Sequence, residues 1–116
     1  MLILVTDRTE TLAETTKQHA ERRLRFALSR FDGRIVRIDL TIGSPLDPPN
    51  DPGRSMRLTI KLRGADDVIL ADHDVQLQRC VSRLSERAAR DVRRAIDRAK
   101  FFTPINDRSP AGRGTL

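Results

Sequence analysis

Apolar and polar positions alternate with different periods along the chain, and each change of period marks an element. LILVT (2–6) is an unbroken run of apolar β-formers and predicts a buried strand. Thr11-Leu-Ala-Glu14 has the form of a capping box, and Leu12, Thr16, Ala20, Leu24, Ala27, Leu28 and Phe31 recur behind it at helical spacing. Gly33 is the expected C-cap of that helix. RIVRIDLTI (34–42) alternates, with Val36, Ile38, Leu40 and Ile42 on one face and Ile35, Arg37, Asp39 and Thr41 on the other. GSPLDPPNDPGR (43–54) holds four prolines and predicts an irregular loop. Alternation returns in SMRLTIKLR (55–63), with Met56, Leu58, Ile60 and Leu62 inward. A turn at Gly64–Asp67 leads to a further strand, VILAD (68–72). From about Asp74, expected as N-cap, to Lys100, apolar residues step by three and four through Leu77, Val81, Leu84, Ala88, Val92, Ala95 and Ala99, a second long helix.

The order β-α-β-β-β-α predicts an α+β domain over residues 1–100, followed by a disordered tail at 101–116 that is rich in Pro, Gly and Ser. The first strand, helix and second strand form a right-handed crossover, so that strand pair is parallel, and hairpins supply the rest of a four-stranded mixed sheet. Each strand has one apolar face. Both helices are therefore expected on the same side of the sheet, leaving the other side wet.

Charge adds a partner class to this fold. The 116 residues include 22 Lys and Arg against 16 Asp and Glu, a net +6, and every basic residue except Lys17, Lys61 and Lys100 is arginine. A basic balance points to nucleic acid, and guanidinium pairs with phosphate in a bidentate way that ammonium does not. A GC-rich genome gives the same arginine skew without selection on function, so position matters more than number. On the final helix Arg79, Arg83, Arg87, Arg90, Arg94 and Arg98 occupy one arc away from the apolar stripe. Arg79/Arg83, Arg83/Arg87, Arg90/Arg94 and Arg94/Arg98 are like-charged i, i+4 pairs, each unfavourable by a few tenths of a kcal/mol, only partly offset by Glu86/Arg90 and Arg93/Asp97. A helix that tolerates this repeatedly favours a polyanion partner over a plain solvated face.

Other cations are spread over the wet sheet face (Arg37, Arg57, Lys61 and Arg63, against Asp39) and the first helix (Lys17, Arg22, Arg23, Arg25 and Arg30). No Phe, Tyr or Trp points outward from a strand, which argues against base stacking on the sheet and for salt-dependent recognition of an RNA backbone. Enzyme chemistry finds little support. His19 and His73 are far apart in sequence, and strand alternation sends Asp72 and His73 of ADHD (71–74) to opposite faces, which disfavours a metal site. Cys80 lies at the margin of a buried stripe and reads as core, and there is no Gly-rich phosphate loop. No catalytic residue, metal or cofactor is expected. The N-terminus lacks the features of a secretory signal and no stretch is apolar enough to span a membrane, so a cytoplasmic protein is expected.

With RFDGRI (30–35) closing the first helix and SRLSERAARDVRR (82–94) in the last, the layout of residues 1 to about 100 resembles the ribosome hibernation promoting factor and ribosome-associated inhibitor family. The resemblance implies a four-stranded sheet with two helices on one face. It also implies a non-catalytic protein that binds the small ribosomal subunit in the channel used by mRNA and tRNA, and holds ribosomes inactive under stress. The family's final helix carries a K-L-x-R-x-L-x-K arrangement, matched here by Arg87, Ala88, Arg90, Val92 and Arg94. That match implies Arg87, Arg90 and Arg94 as rRNA phosphate contacts, with Arg83 and Arg23 in support. On the first helix Arg23 matches the first of two family basic positions, while Phe26 stands at the second. QLQRCV (76–81) replaces the family's D-x-Y-x-A-I-D entry, with Gln78 at the aromatic position, the Pro-rich loop is longer than in compact members, and a short form without the long forms' dimerising domain is expected. Two other readings stay open: a general RNA-binding module that does not inhibit translation, and a homo-oligomeric domain whose wet sheet face pairs with itself.

Overall fold

A computed structural model describes residues 1–43 and 54–102, with side chains through Lys100. The Pro-rich loop and the tail predicted at 101–116 fall almost wholly outside the described residues. The elements are β1 (Leu2–Asp7), α1 (Glu14–Leu28), a short 3-10 turn (Ser29–Phe31), β2 (Ile35–Ile42), β3 (Arg54–Leu62), β4 (Val68–Asp74) and α2 (Leu77–Phe102). The sheet runs β1-β2-β3-β4, with β1 parallel to β2 and the other pairs antiparallel. This is the expected β-α-β-β-β-α arrangement.

Both helices lie on one side of the sheet. Ala20, Leu24 and Leu28 of α1 and Val81, Leu84, Ala88 and Val92 of α2 close over Ile38, Leu40, Leu58 and Ile60, all buried. Helical spacing in the sequence becomes burial here because each apolar stripe has a sheet face to cover. Cys80 is also fully buried, and burial pushes its thiol up to about 11, with the carboxylate of Asp72 adding to the shift. It is a core residue, as its position on the stripe predicts.

Local details depart from the sequence reading. LILVT is not buried on both sides: β1 is an edge strand, with Ile3 in the core and Leu2 and Leu4 exposed. Simple alternation fails at the start of β2, where the register moves from Ile35↔Leu62 to Arg37↔Lys61. Val36 is the extra residue of a β-bulge, so Ile35 turns into the core and Val36 faces solvent. Thr11 does not cap α1; Ala13 precedes the helix and makes no side-chain cap. Asp7 instead gathers that connection, its carboxylate accepting from the Thr9, Thr11 and Leu12 amides at 2.9, 3.0 and 2.8 Å and from the Thr9 hydroxyl. Burial pushes the Asp7 carboxyl up, but these hydrogen bonds outweigh it and hold the group below its ordinary value.

Gly33 does not adopt a left-handed conformation, because α1 ends at Leu28 and tightens into the 3-10 turn. The glycine requirement falls on Gly43, at φ +84°, where a Cβ would lie 2.7 Å from Thr9 Cγ2. Asp74 belongs to β4 rather than to α2, although its Oδ1 accepts from the Gln76 amide at 2.9 Å.

Ser85 is the one polar side chain buried among the described residues, and its hydroxyl has no hydrogen-bond partner among them. An unpaired buried hydroxyl is a cost that alanine removes. Ser85→Ala is expected to leave stability unchanged or to raise it by up to about 1 kcal/mol, read as thermal melting. A clear loss would show that the hydroxyl is satisfied after all.

Candidate nucleic-acid interface

The arginines of α2 fall into two groups, and the packing of the helix decides which. Near its start, α2 lies along β4. Arg83 Nε and Nη2 donate to the two carboxylate oxygens of Asp72 at 2.9 and 3.2 Å, while Nη1 donates to Asp74 Oδ2 at 2.7 Å and Nη2 also reaches the His73 carbonyl at 3.3 Å. Strand alternation turns Asp72 and Asp74 toward the helices and His73 to solvent, as the sequence predicts for Asp72 and His73. Arg83 thus sits between two carboxylates, a geometry suited to a forked guanidinium. Its hydrogen bond holds Asp72 below the usual carboxylate range; the Gln76 amide, and then Arg83, do the same for Asp74. The guanidinium itself is pushed further up by these partners. Arg87, one turn on, donates from Nη1 to the Ala71 carbonyl at 3.2 Å and stands 3.9 Å from Asp72.

Further along, the arginines are not fastened in this way. Arg90, Arg93 and Arg94 line a shallow concavity together with Ala89, Glu86 and Arg30, the last from the turn that follows α1. Arg30 and Arg93 both lie over the ring of Phe31, at 5.2 and 5.7 Å from its centre. The ring face attracts each cation and offsets part of their mutual repulsion. Arg94 makes only a loose pair with Asp91, at 3.8 Å, and Arg90 is exposed. Among the described residues Glu86 is the single acidic one lining the concavity. Four guanidiniums converging from two elements, with exposed donors and little neutralising charge, form a surface that an RNA phosphate backbone fits electrostatically.

The sequence-predicted residues are therefore only partly brought together. Arg90 and Arg94 share the concavity, Arg87 borders β4, and Arg83 is engaged with Asp72 and Asp74. Arg23 stands apart, in a groove between the helices lined by His19, Ala20, Leu77, Gln78 and Val81. Nothing in the sequence pattern marks Arg30 and Arg93 as contacts. Arg93 lies off the arc of the other arginines and Arg30 is remote in sequence, so only the packing of Phe31 under α2 joins them. On the helix-free face, Arg37 pairs with Asp39 at 2.9 Å, and Arg57 and Lys61 are exposed. Arg34 and Arg63 are tied to the backbone, Arg34 Nε to the Arg63 carbonyl at 3.1 Å and Arg63 Nη1 to the Gly33 carbonyl at 2.8 Å. Among the described residues no helix is long and apolar enough to cross a membrane.

No protein-family model matches the sequence, and no curated protein matches it. Solved structures do match the fold. The N-terminal domain of Protein Y from Thermus thermophilus superposes with a TM-score of 0.65 at 18% identity, over 81% of this chain and 98% of that one. A ribosomal subunit interface protein from Coxiella burnetii superposes with a TM-score of 0.69 at 14% identity, over 84% of this chain and 99% of that one. The four-stranded sheet with two helices on one face is thus a fold that this chain shares with a ribosomal subunit interface protein.

Proposed function

We propose that this is a non-catalytic, ribosome-associated protein of the hibernation type, which meets small-subunit rRNA through the second half of α2 and holds ribosomes inactive under stress. The observation that carries the reading is the convergence of Arg30, Arg90, Arg93 and Arg94 on one concavity. The fold shared with a ribosomal subunit interface protein supports the ribosome as the source of the polyanion. Arg90 and Arg94 act as the principal phosphate contacts, and Arg30 and Arg93, pre-placed on Phe31, extend them. Arg87 lies at the margin. Arg83 acts mainly by positioning, because its donors are engaged with Asp72 and Asp74, and Arg23 offers a separate contact across the helix pair. Such a protein occupies the mRNA and tRNA channel of the subunit and works in the cytoplasm with the ribosomes.

Sedimentation with purified ribosomes and separated subunits tests this directly. The protein is expected to travel with the small subunit and the whole ribosome at low salt, to leave them progressively as salt rises, and to reduce translation in a purified system. Protein that stays at the top of the gradient at low salt overturns the ribosomal reading. Binding without any effect on translation would instead favour a general RNA-binding module.

A further inference from the structure

The two edges of the sheet are finished differently. On β4 the outward carbonyls of Ala71 and His73 accept from Arg87 and Arg83, so a strand arriving there meets guanidinium groups rather than a free edge. No side chain among the described residues covers the outer edge of β1 in this way. The direction of its backbone groups follows from two bonds. Arg8 N–H donates to the Ile42 carbonyl of β2 at 2.9 Å, while the Asp7 carbonyl turns away to accept from Glu10 N–H at 3.3 Å. Backbone groups alternate along a strand, so even-numbered residues face β2, and Ile3 and Val5 present N–H and C=O to the outside. Beside them, Leu2 and Leu4 are 53% and 39% exposed on the helix-free face, with Val36 of the bulge 40% exposed nearby. An open, apolar edge is a template for strand addition.

We propose that β1 pairs antiparallel with β1 of a second copy, about a two-fold axis at Leu4, joining the two sheets into one. In this register Ile3 exchanges hydrogen bonds with Val5 of the second copy, Leu2 lies opposite Thr6, and the two Leu4 side chains meet in the close, non-hydrogen-bonded pair. The occupant follows from charge. The LILVT part of β1 is uncharged up to Asp7 at the strand's end, whereas β2, β3 and β4 each carry charged residues within their length. Apposing the helix-free faces would set Arg37, Arg57 and Lys61 against their own copies with, among the described strand residues of that face, only Asp39 to answer them, and apposing the α2 faces would do the same with more arginines. The LILVT seam brings the strands of two +6 chains into contact through an uncharged strip. The pairing is edge-to-edge rather than face-to-face, and it uses the edge opposite β4, along which α2 lies. The seam spans only residues 2–6, less than a standard interface, so the dimer is weak and concentration-dependent.

Sedimentation velocity of the full chain over about two decades of concentration, in salt high enough to screen the arginines, measures the association. Leu4→Lys, which places two cations on the axis at an already exposed position, is expected to weaken it at least about tenfold. Ile69→Lys, on β4, leaves it unchanged. Amide exchange of the unsubstituted protein supplies a second readout that needs no variant, with the Ile3 and Val5 amides becoming protected as concentration rises. A monomer at every concentration, a dimer indifferent to Leu4→Lys, or Ile3 and Val5 amides whose exchange ignores concentration overturns the proposal.

Discussion

Replacing Arg90 and Arg94 together by Glu is expected to lower affinity for the small subunit roughly 100-fold at moderate salt, and to flatten the salt dependence of what binding remains. Each guanidinium lost removes a charge-assisted contact and the counterion release that accompanies it, about 0.7–0.9 in the slope of log affinity against log salt. The carboxylates then add repulsion. Both side chains are exposed and neither holds the core together, so the variant should melt near the temperature of the unsubstituted protein. Arg57→Glu with Lys61→Glu, the same charge change on the helix-free face, is the matched control and should bind nearly as the unsubstituted protein does. Filter binding or gradient sedimentation at several salt concentrations reads both. Equal losses from the two variants would mean that net charge, and not the α2 concavity, drives association.

Arg83→Ala is expected to have the largest effect on stability, lowering Tm by about 5 °C. Its loss leaves Asp72 and Asp74 facing each other across the space that the guanidinium filled, and frees the start of α2 from β4. Solvent reaches the cluster and tempers the penalty, since the Arg83 side chain is 41% exposed. The pH dependence gives the cause. Asp72 and Asp74 titrate below their ordinary range in the folded protein. Their stabilisation is therefore present above the unfolded carboxylate pKa of about 4, and is lost as pH falls through the lower folded values. The difference between Arg83→Ala and the unsubstituted protein should be widest at neutral pH and should close in acid. A gap that stays constant down to about pH 2 would mean that the arginine acts through packing alone. Because the substitution also frees α2 from β4, a modest fall in ribosome binding is expected to accompany it, smaller than that of the double Glu variant.

Much of the fold is legible in the residues themselves. The 3.6-residue spacing of Ala20, Leu24 and Leu28, and of Val81, Leu84, Ala88 and Val92, can be buried only by a helix. The alternation of Met56, Leu58, Ile60 and Leu62 can be one-sided only in a strand. The order of these elements, with the handedness of the crossover, then leaves few arrangements of the sheet. Misreadings cluster where local pattern is ambiguous. An apolar run such as LILVT looks the same at an edge as in the centre of a sheet, because pairing on the second side is decided by other strands. One extra residue at Val36 reverses the alternation without any compositional sign. Thr11 and Glu14 have capping-box spacing, yet Asp7 already holds the amides nearby.

The arginines divide in the same way. Periodicity by itself determined that α2 presents an arc of cations away from its apolar stripe, since a helix of that sequence has only one way to bury Leu84, Ala88 and Val92. It did not determine which of those cations are available to a partner. That was decided when α2 was laid along β4, where Asp72 and Asp74 stand within reach of Arg83, and when Phe31 came under its second half, where it draws Arg30 toward Arg93. Charge on a helix is a property of the sequence, but a free guanidinium depends on which carboxylates, carbonyls and rings the fold brings within about 3–6 Å of it.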